Sequence, residues 1–127
     1  MARGLKHHRL WAGAGWLLVA LVVYLSLVPH PPEPLSFEHV DKLEHTFAYA
    51  MLSFWFCQSY SLAKSRIVVI AALVSMGIGL EFVQDWSGYR MFDVLDMLAN
   101  SLGVLIGWLL AMTPLGHAFT YIERRLR

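Results

Sequence analysis

Nineteen consecutive uncharged residues, Leu10 to Val28, follow directly on a basic stretch that holds Arg3, Lys6 and Arg9. A helix of that length crosses about 30 Å of hydrocarbon, and within hydrocarbon a chain can hydrogen-bond its own backbone only as a helix or a closed barrel. A basic start before an apolar run is also the mark of a secretory signal peptide. Here the run exceeds the usual apolar core of about 7–15 residues and lacks a small-x-small cleavage site near its end. The first span is therefore expected to stay in the membrane.

Three more apolar segments follow, so the pattern predicts an all-α integral membrane bundle of four transmembrane helices in one domain over 1–127, with spans at about 10–28, 42–62, 66–84 and 92–112. A hydrophobic content of 57% and a mean hydropathy of +0.53 in 127 residues exclude an ordinary soluble domain. The single cysteine, Cys57, sits in an apolar run and excludes a disulfide framework; it reads as a buried, inert thiol. A net charge of +1, spread between apolar spans, gives no sign of nucleic-acid binding.

The connections follow from local chemistry. Pro29, Pro31, Pro32 and Pro34 stop the first helix, because each removes a backbone donor and restricts the residue before it. Asp41 suits the start of the second as a cap and against the helix dipole. The third has only fourteen uncharged residues, Ile67 to Leu80, and must draw Glu81, Phe82, Val83 and Gln84 into its outer end to cross. Trp86-Ser87-Gly88-Tyr89 reads as a turn with aromatics at headgroup level. Beyond Thr113-Pro114-Leu115-Gly116, residues 117–127 form a basic tail suited to a short interfacial helix.

With four alternating spans, one side collects Arg3, Lys6, Arg9, Lys64, Arg66, Arg124, Arg125 and Arg127, eight of the ten bases. The positive-inside rule makes that side cytoplasmic and predicts a plasma (inner) membrane protein with both termini inside. The other side holds Lys42, Arg90 and every acid except Glu123. At that outer face the second span begins, the third ends and the fourth begins. Asp41/Lys42/His45, Glu81/Gln84 and Asp93/Asp96/Asn100 thus share one depth.

Spacing puts each set on one helical face: Asp41 and His45 are four apart, and Asp93, Asp96 and Asn100 follow i, i+3, i+7. The last face continues into Gly103 and Gly107, a small-xxx-small pair that lets a helix approach a neighbour closely. Ionisable groups at membrane depth are expensive and normally face a bundle interior or water, which makes this cluster a candidate site. The bland readings differ by residue. Glu44 is adequately explained as a helix-start acid, Lys42 can snorkel, and for His45, Glu81, Asp96 and Asn100 the rival to a functional role is a polar cluster holding the helices in register. The aromatic residues of the second span read as core or lipid-facing.

The blocks Asp41-Lys42-x-x-His45-x-x-x-Tyr49-x-x-Leu52, Glu81-x-x-Gln84 and Arg90-x-x-Asp93-x-x-Asp96-x-x-x-Asn100-x-x-Gly103-x-x-x-Gly107, in that order, resemble the VanZ-like family of small membrane proteins. The resemblance implies a role in the cell envelope, in the direction of glycopeptide (teicoplanin-type) antibiotic tolerance. It brings no catalytic residue with it.

Two classes of function fit the residues. In the first, the site binds the headgroup of an envelope lipid or cell-wall precursor, with Lys42, Gln84, Arg90, Asp93 and Asn100 as binding residues. In the second, Asp41, His45, Glu81 and Asp96 are catalytic acids and bases or ligands of a divalent cation (Mg, Mn or Ca) in an enzyme acting on a phosphorylated lipid, since oxygen-rich sites suit hard cations and Arg suits phosphate. Zinc is disfavoured by the single histidine and missing cysteine on this face. No nucleophile has an evident base, so covalent catalysis has no support. Proton-coupled transport through Glu81 or Asp96 would need a homo-oligomer to complete a pathway.

Overall fold

The computed structural model describes residues 6–27, 40–60, 63–87 and 94–126, with side chains from 43 in the second segment and from 64 to 86 in the third. Its helices are α1 (His8–Leu27), α2 (Val40–Ser59), α3 (Ala63–Ser87), α4 (Val94–Ala111) and, after a 3-10 turn over Pro114–His117, α5 (Ala118–Leu126). No strand occurs among the described residues. By length and composition α1, α3 (over Lys64–Trp86) and α4 can each cross a membrane. Their exposed surfaces carry Leu17, Leu21, Ile67, Val68, Leu98 and Leu102, the residues hydrocarbon favours.

α2 is as long as α1 but is not among these apolar helices. Its polar residues explain both facts at once. Ser53, Gln58 and Ser59 are buried inside the protein, so α2 is the helix the others enclose. Tyr49, Leu52 and Phe56 of α2 form the core with Leu73 of α3 and Val104 of α4, and Leu18, Val19 and Val22 of α1 pack against it.

The most extensive helix–helix contact joins α2 to α4. It depends on the absence of side chains at two positions. A Cβ on Gly103 would run into the Thr46 carbonyl and stand 3.0 Å from Ala50 N, while one on Gly107 would run into the Ala50 carbonyl and stand 2.7 Å from Ser53 Cβ. With the backbones so close, the hydroxyl of Ser53 donates to Val104 O at 2.7 Å and that of Thr46 to Ala99 O at 3.3 Å. These pairs advance together along both helices, so α2 and α4 run parallel. α3 runs against them, and α1 opposes α2, pairing Trp11 with Trp55 near its start and Ser26 with Gln84 near its end.

One end of the helices is tied by three polar side chains. The Arg66 guanidinium donates to Cys57 O (2.9 Å), Tyr60 O (2.9 Å) and Ala111 O (3.3 Å), so one cation caps the carbonyl ends of both α2 and α4. Gln58 donates to Leu115 O and accepts from the Phe119 amide, which holds the turn before α5. Glu123 accepts from the backbone N–H groups of Lys6 (2.7 Å) and His7 (3.0 Å) and from the Trp11 indole (2.7 Å). It therefore serves α1 as an acidic cap supplied from the far end of the sequence. Trp11 stacks on Phe119 with ring centres 3.9 Å apart, and Trp55 meets Phe119 edge-on at 4.7 Å. The two ends of the described chain accordingly lie together.

One expectation is revised. α3 continues through Trp86 and Ser87, residues assigned above to a turn. The basic tail carries the short helix expected of it, α5, after a 3-10 turn, and its lone acid is a buried cap.

Replacing Gly107 by alanine should force α2 and α4 apart and cost about 1–3 kcal/mol. Gly13→Ala, where a Cβ meets nothing within 4 Å, should be neutral or stabilising by about 0.5–1 kcal/mol. Melting temperatures in detergent decide between a specific contact and a generic dislike of substitution.

The cap can be tested by pH. Burial raises the Glu123 pKa, but the bonds from the His7, Lys6 and Trp11 N–H groups and the nearby His7 charge outweigh it, holding the carboxyl below its ordinary 4.5. A depressed carboxyl stabilises the fold fully above the unfolded value and ceases to do so as pH falls through the folded one. Wild type should therefore exceed Glu123→Gln in melting temperature at neutral pH, with the gap closing below about pH 4. A gap that is constant down to pH 3 would contradict the assignment.

Candidate functional site

At the other end of α2 and α4 the polar residues of three helices converge. His45 lies within the first two turns of α2, and Asp96 lies in the first turn of α4, where the helix dipole favours a carboxylate. The glycine contact sets these parallel helices in register, so His45 Nδ1 and Asp96 Oδ1 stand 3.7 Å apart. That distance makes an ion pair when the imidazole is protonated. The His45 side chain keeps 20% of its surface exposed and that of Asp96 10%, so the pair is largely buried, with part of the imidazole reaching the surface.

One turn deeper, Tyr49 of α2 and Asn100 of α4 close on α3 at Gly77. A Cβ there would lie 3.1 Å from Asn100 Nδ2 and 3.4 Å from Tyr49 Cε2, so the missing side chain is what lets the three helices meet. Because α3 runs the opposite way, Glu81 returns one turn toward the level of His45 and Asp96. It is 2% exposed and within electrostatic reach of Tyr49. Asp96 and Asn100 are also buried, at 7% and 5%.

The candidate residues therefore separate. His45, Glu81, Asp96 and Asn100 come to one junction of α2, α3 and α4. Gln84, buried as well, donates from Nε2 to Ser26 O at 2.5 Å and so ties α3 to the end of α1. Arg90, Asp93 and the side chains of Asp41 and Lys42 lie outside the described residues. Tyr49 is a core residue, as expected of the aromatics of the second span, and it also borders the junction. Its position four residues after His45, on the same helical face, was the available signal.

Among the described residues no three His, Cys, Asp or Glu side chains are grouped to hold a metal ion. His45, Glu81 and Asp96 thus do not by themselves make up a divalent-cation site. The junction is rich in hydrogen-bond acceptors, with two carboxylates and an amide carbonyl facing a phenol and an imidazole.

The family model VanZ/LLP1 matches residues 9–117. The chain belongs to the VanZ/LLP1 family. An uncharacterised protein of Schizosaccharomyces pombe is 34% identical over 97 residues, covering 74% of this chain and 57% of that protein. The chain thus spans little more than half the length of this relative. No solved structure matches.

If His45 and Asp96 interact across α2 and α4, their alanine variants should be non-additive. A double-mutant cycle in reversible SDS unfolding should give a coupling of about 0.5–3 kcal/mol, whereas His45→Ala and Glu123→Ala, at opposite ends, should add within about 0.5 kcal/mol.

Proposed function

We propose that this VanZ-like protein crosses the plasma (inner) membrane four times with both termini cytoplasmic, and that the junction of His45, Glu81, Asp96 and Asn100 binds the headgroup of an envelope lipid or cell-wall precursor at the extracytoplasmic face. Three arguments support the topology. α2 is enclosed by three helices that are each apolar enough to cross a membrane. Its direction alternates with α1 and α3. The bound-together ends carry Lys6, Arg9, Lys64, Arg66, Arg124 and Arg125, and bases mark the cytoplasmic side.

One observation carries the binding reading. Glu81, Asp96 and Asn100 are nearly wholly buried at membrane depth, beside a histidine that is still partly exposed. A cluster that only locked helices together could use serine and threonine hydroxyls, as α2 does at Ser53 and Thr46, without two carboxylates. Acceptor groups there would take hydroxyl, amide or ammonium protons of a headgroup, while Lys42 and Arg90, near the same level by sequence, would receive its phosphate. Asp41 and Asp93 would add acceptors at the mouth.

A relative in Schizosaccharomyces pombe favours a ligand common to many membranes over a precursor confined to bacterial walls. Glycopeptide tolerance would then be one consequence of altered headgroup handling at the outer leaflet. Nothing in the geometry favours the metalloenzyme alternative.

Protein extracted with its native lipids into nanodiscs should retain a specific lipid visible by native mass spectrometry. His45→Ala, Glu81→Gln and Asp96→Asn should each reduce that retention at least about tenfold, the effect of losing one charge-assisted hydrogen bond of about 1.5–3 kcal/mol. Variants that melt early yet keep the lipid would establish a scaffold and overturn the reading.

A further inference from the structure

At the end of the helices opposite the polar junction, α1, α2 and α5 enclose a groove of about 540 Å³, a size ordinary for small-molecule sites. Leu10, Ala14 and Leu126 line it with the indoles of Trp11 and Trp55, and Lys6 and His7 give it a polar end. Lys6 and His7 are both exposed. Leu10 is exposed too, and exposed Leu17 and Leu21 follow it seven and eleven residues on, along the same face of α1, so the apolar lining continues up the helix. A soluble ligand would gain nothing from that continuity, whereas a lipid chain would.

Charge narrows the ligand further. Glu123 is the one acid lining the groove, and among the described residues the only acid at this end of the helices. It is 4% exposed, and its two oxygens are occupied by the N–H groups of Lys6, His7 and Trp11. Arg9, Arg124 and Arg125 stand exposed on the adjoining turns. The surface around the groove is therefore cationic, with its compensating acid turned inward and already hydrogen-bonded.

We infer that this groove seats an anionic glycerophospholipid, with its phosphate against Lys6 and His7 and the upper part of an acyl chain along Leu10, Trp11 and Ala14. The site is separate from the polar junction and independent of which leaflet faces the cytoplasm. Basic residues at a membrane surface each strengthen attachment to anionic lipid, and here an apolar floor adds a defined place for the chain. Bound there, the lipid would bear on Trp11 and Leu126 and so on the contact that closes α5 over α1. Occupancy would thereby hold the two ends of the chain together.

Tryptophan quenching tests this on the full-length chain. With Trp16→Phe, Trp86→Phe and Trp108→Phe, emission comes from Trp11 and Trp55 in the groove. Reconstitution into vesicles of phosphatidylcholine with a minor fraction of phosphatidylglycerol allows acyl-chain bromine to be placed on either lipid at equal amounts. Brominated phosphatidylglycerol should quench as though enriched about fivefold at the site. Lys6→Ala with His7→Ala should remove the enrichment, and because these changes spare the backbone N–H groups that Glu123 caps and take away only the weaker His7 charge, melting should move far less than in Glu123→Gln. Lys64→Ala, a base at the same end but outside the groove, should leave the enrichment intact. Equal quenching by both lipids overturns the inference. So does an enrichment that survives loss of Lys6 and His7, or one that falls as far in Lys64→Ala, which would mark diffuse attraction in place of a seat.

Discussion

The contact of Gly103 and Gly107 with the backbone of α2 is the constraint on which the rest of the structure depends. α2 carries Ser53, Gln58, Ser59 and the His45–Tyr49 face, too many polar groups for a helix surrounded by lipid. It has to be covered, and only a neighbour without side chains at the crossing comes near enough to reach its hydroxyls. Interhelical hydrogen bonds in membranes are worth only about 0.6 kcal/mol on average, so Ser53 and Thr46 do little to hold the helices by attraction. Register comes from the glycines: an offset of one turn would put Ala99 or Ala111 where Gly103 or Gly107 meets the α2 backbone.

Register is what makes the polar junction. With Thr46 against Ala99, the preceding residue His45 falls opposite Asp96, and the next turn down brings Tyr49 and Asn100 to the bare backbone of Gly77. Glu81 then enters from α3 because that helix runs the other way. The far end follows a different logic. There Arg66, Gln58 and Glu123 are each spent on main-chain groups left open at helix ends, and each joins segments far apart in sequence. One end is thus closed by side chains that cap helix ends, and the other brings ionisable groups of three helices together.

Much of this was legible in the sequence, for physical reasons. Hydrocarbon imposes a length and an apolarity that three of the helices meet outright, and the i, i+3, i+7 face of Asp96 and Asn100 passing into Gly103 and Gly107 named the inward side of α4. What the sequence did not disclose was the partner of each group. Arg66 counted as a marker of the cytoplasmic side, yet its guanidinium caps two helices. Glu123 looked like an exception in a basic tail and is the cap of α1. Depth alone placed Gln84 and did not show its bond to Ser26, and Tyr49, a core residue as its apolar setting suggests, gave no sign of lying beside Glu81. Hydropathy reports the transfer cost of a side chain, whereas these assignments depend on contacts across the fold, up to 117 residues apart for Glu123 and Lys6.

Family membership locates the chain among VanZ/LLP1 proteins, and the parallel packing of α2 on α4 is the physical claim that a site reading there requires. Disulfide trapping measures it directly. In a Cys57→Ser background, the pair Thr46→Cys and Ala99→Cys should cross-link rapidly under mild oxidation in native membranes, while Thr46→Cys with Ala111→Cys should not. Cross-linking of the second pair in preference to the first would mean that α2 and α4 run antiparallel or out of register, and the junction of His45, Asp96, Glu81 and Asn100 could not exist.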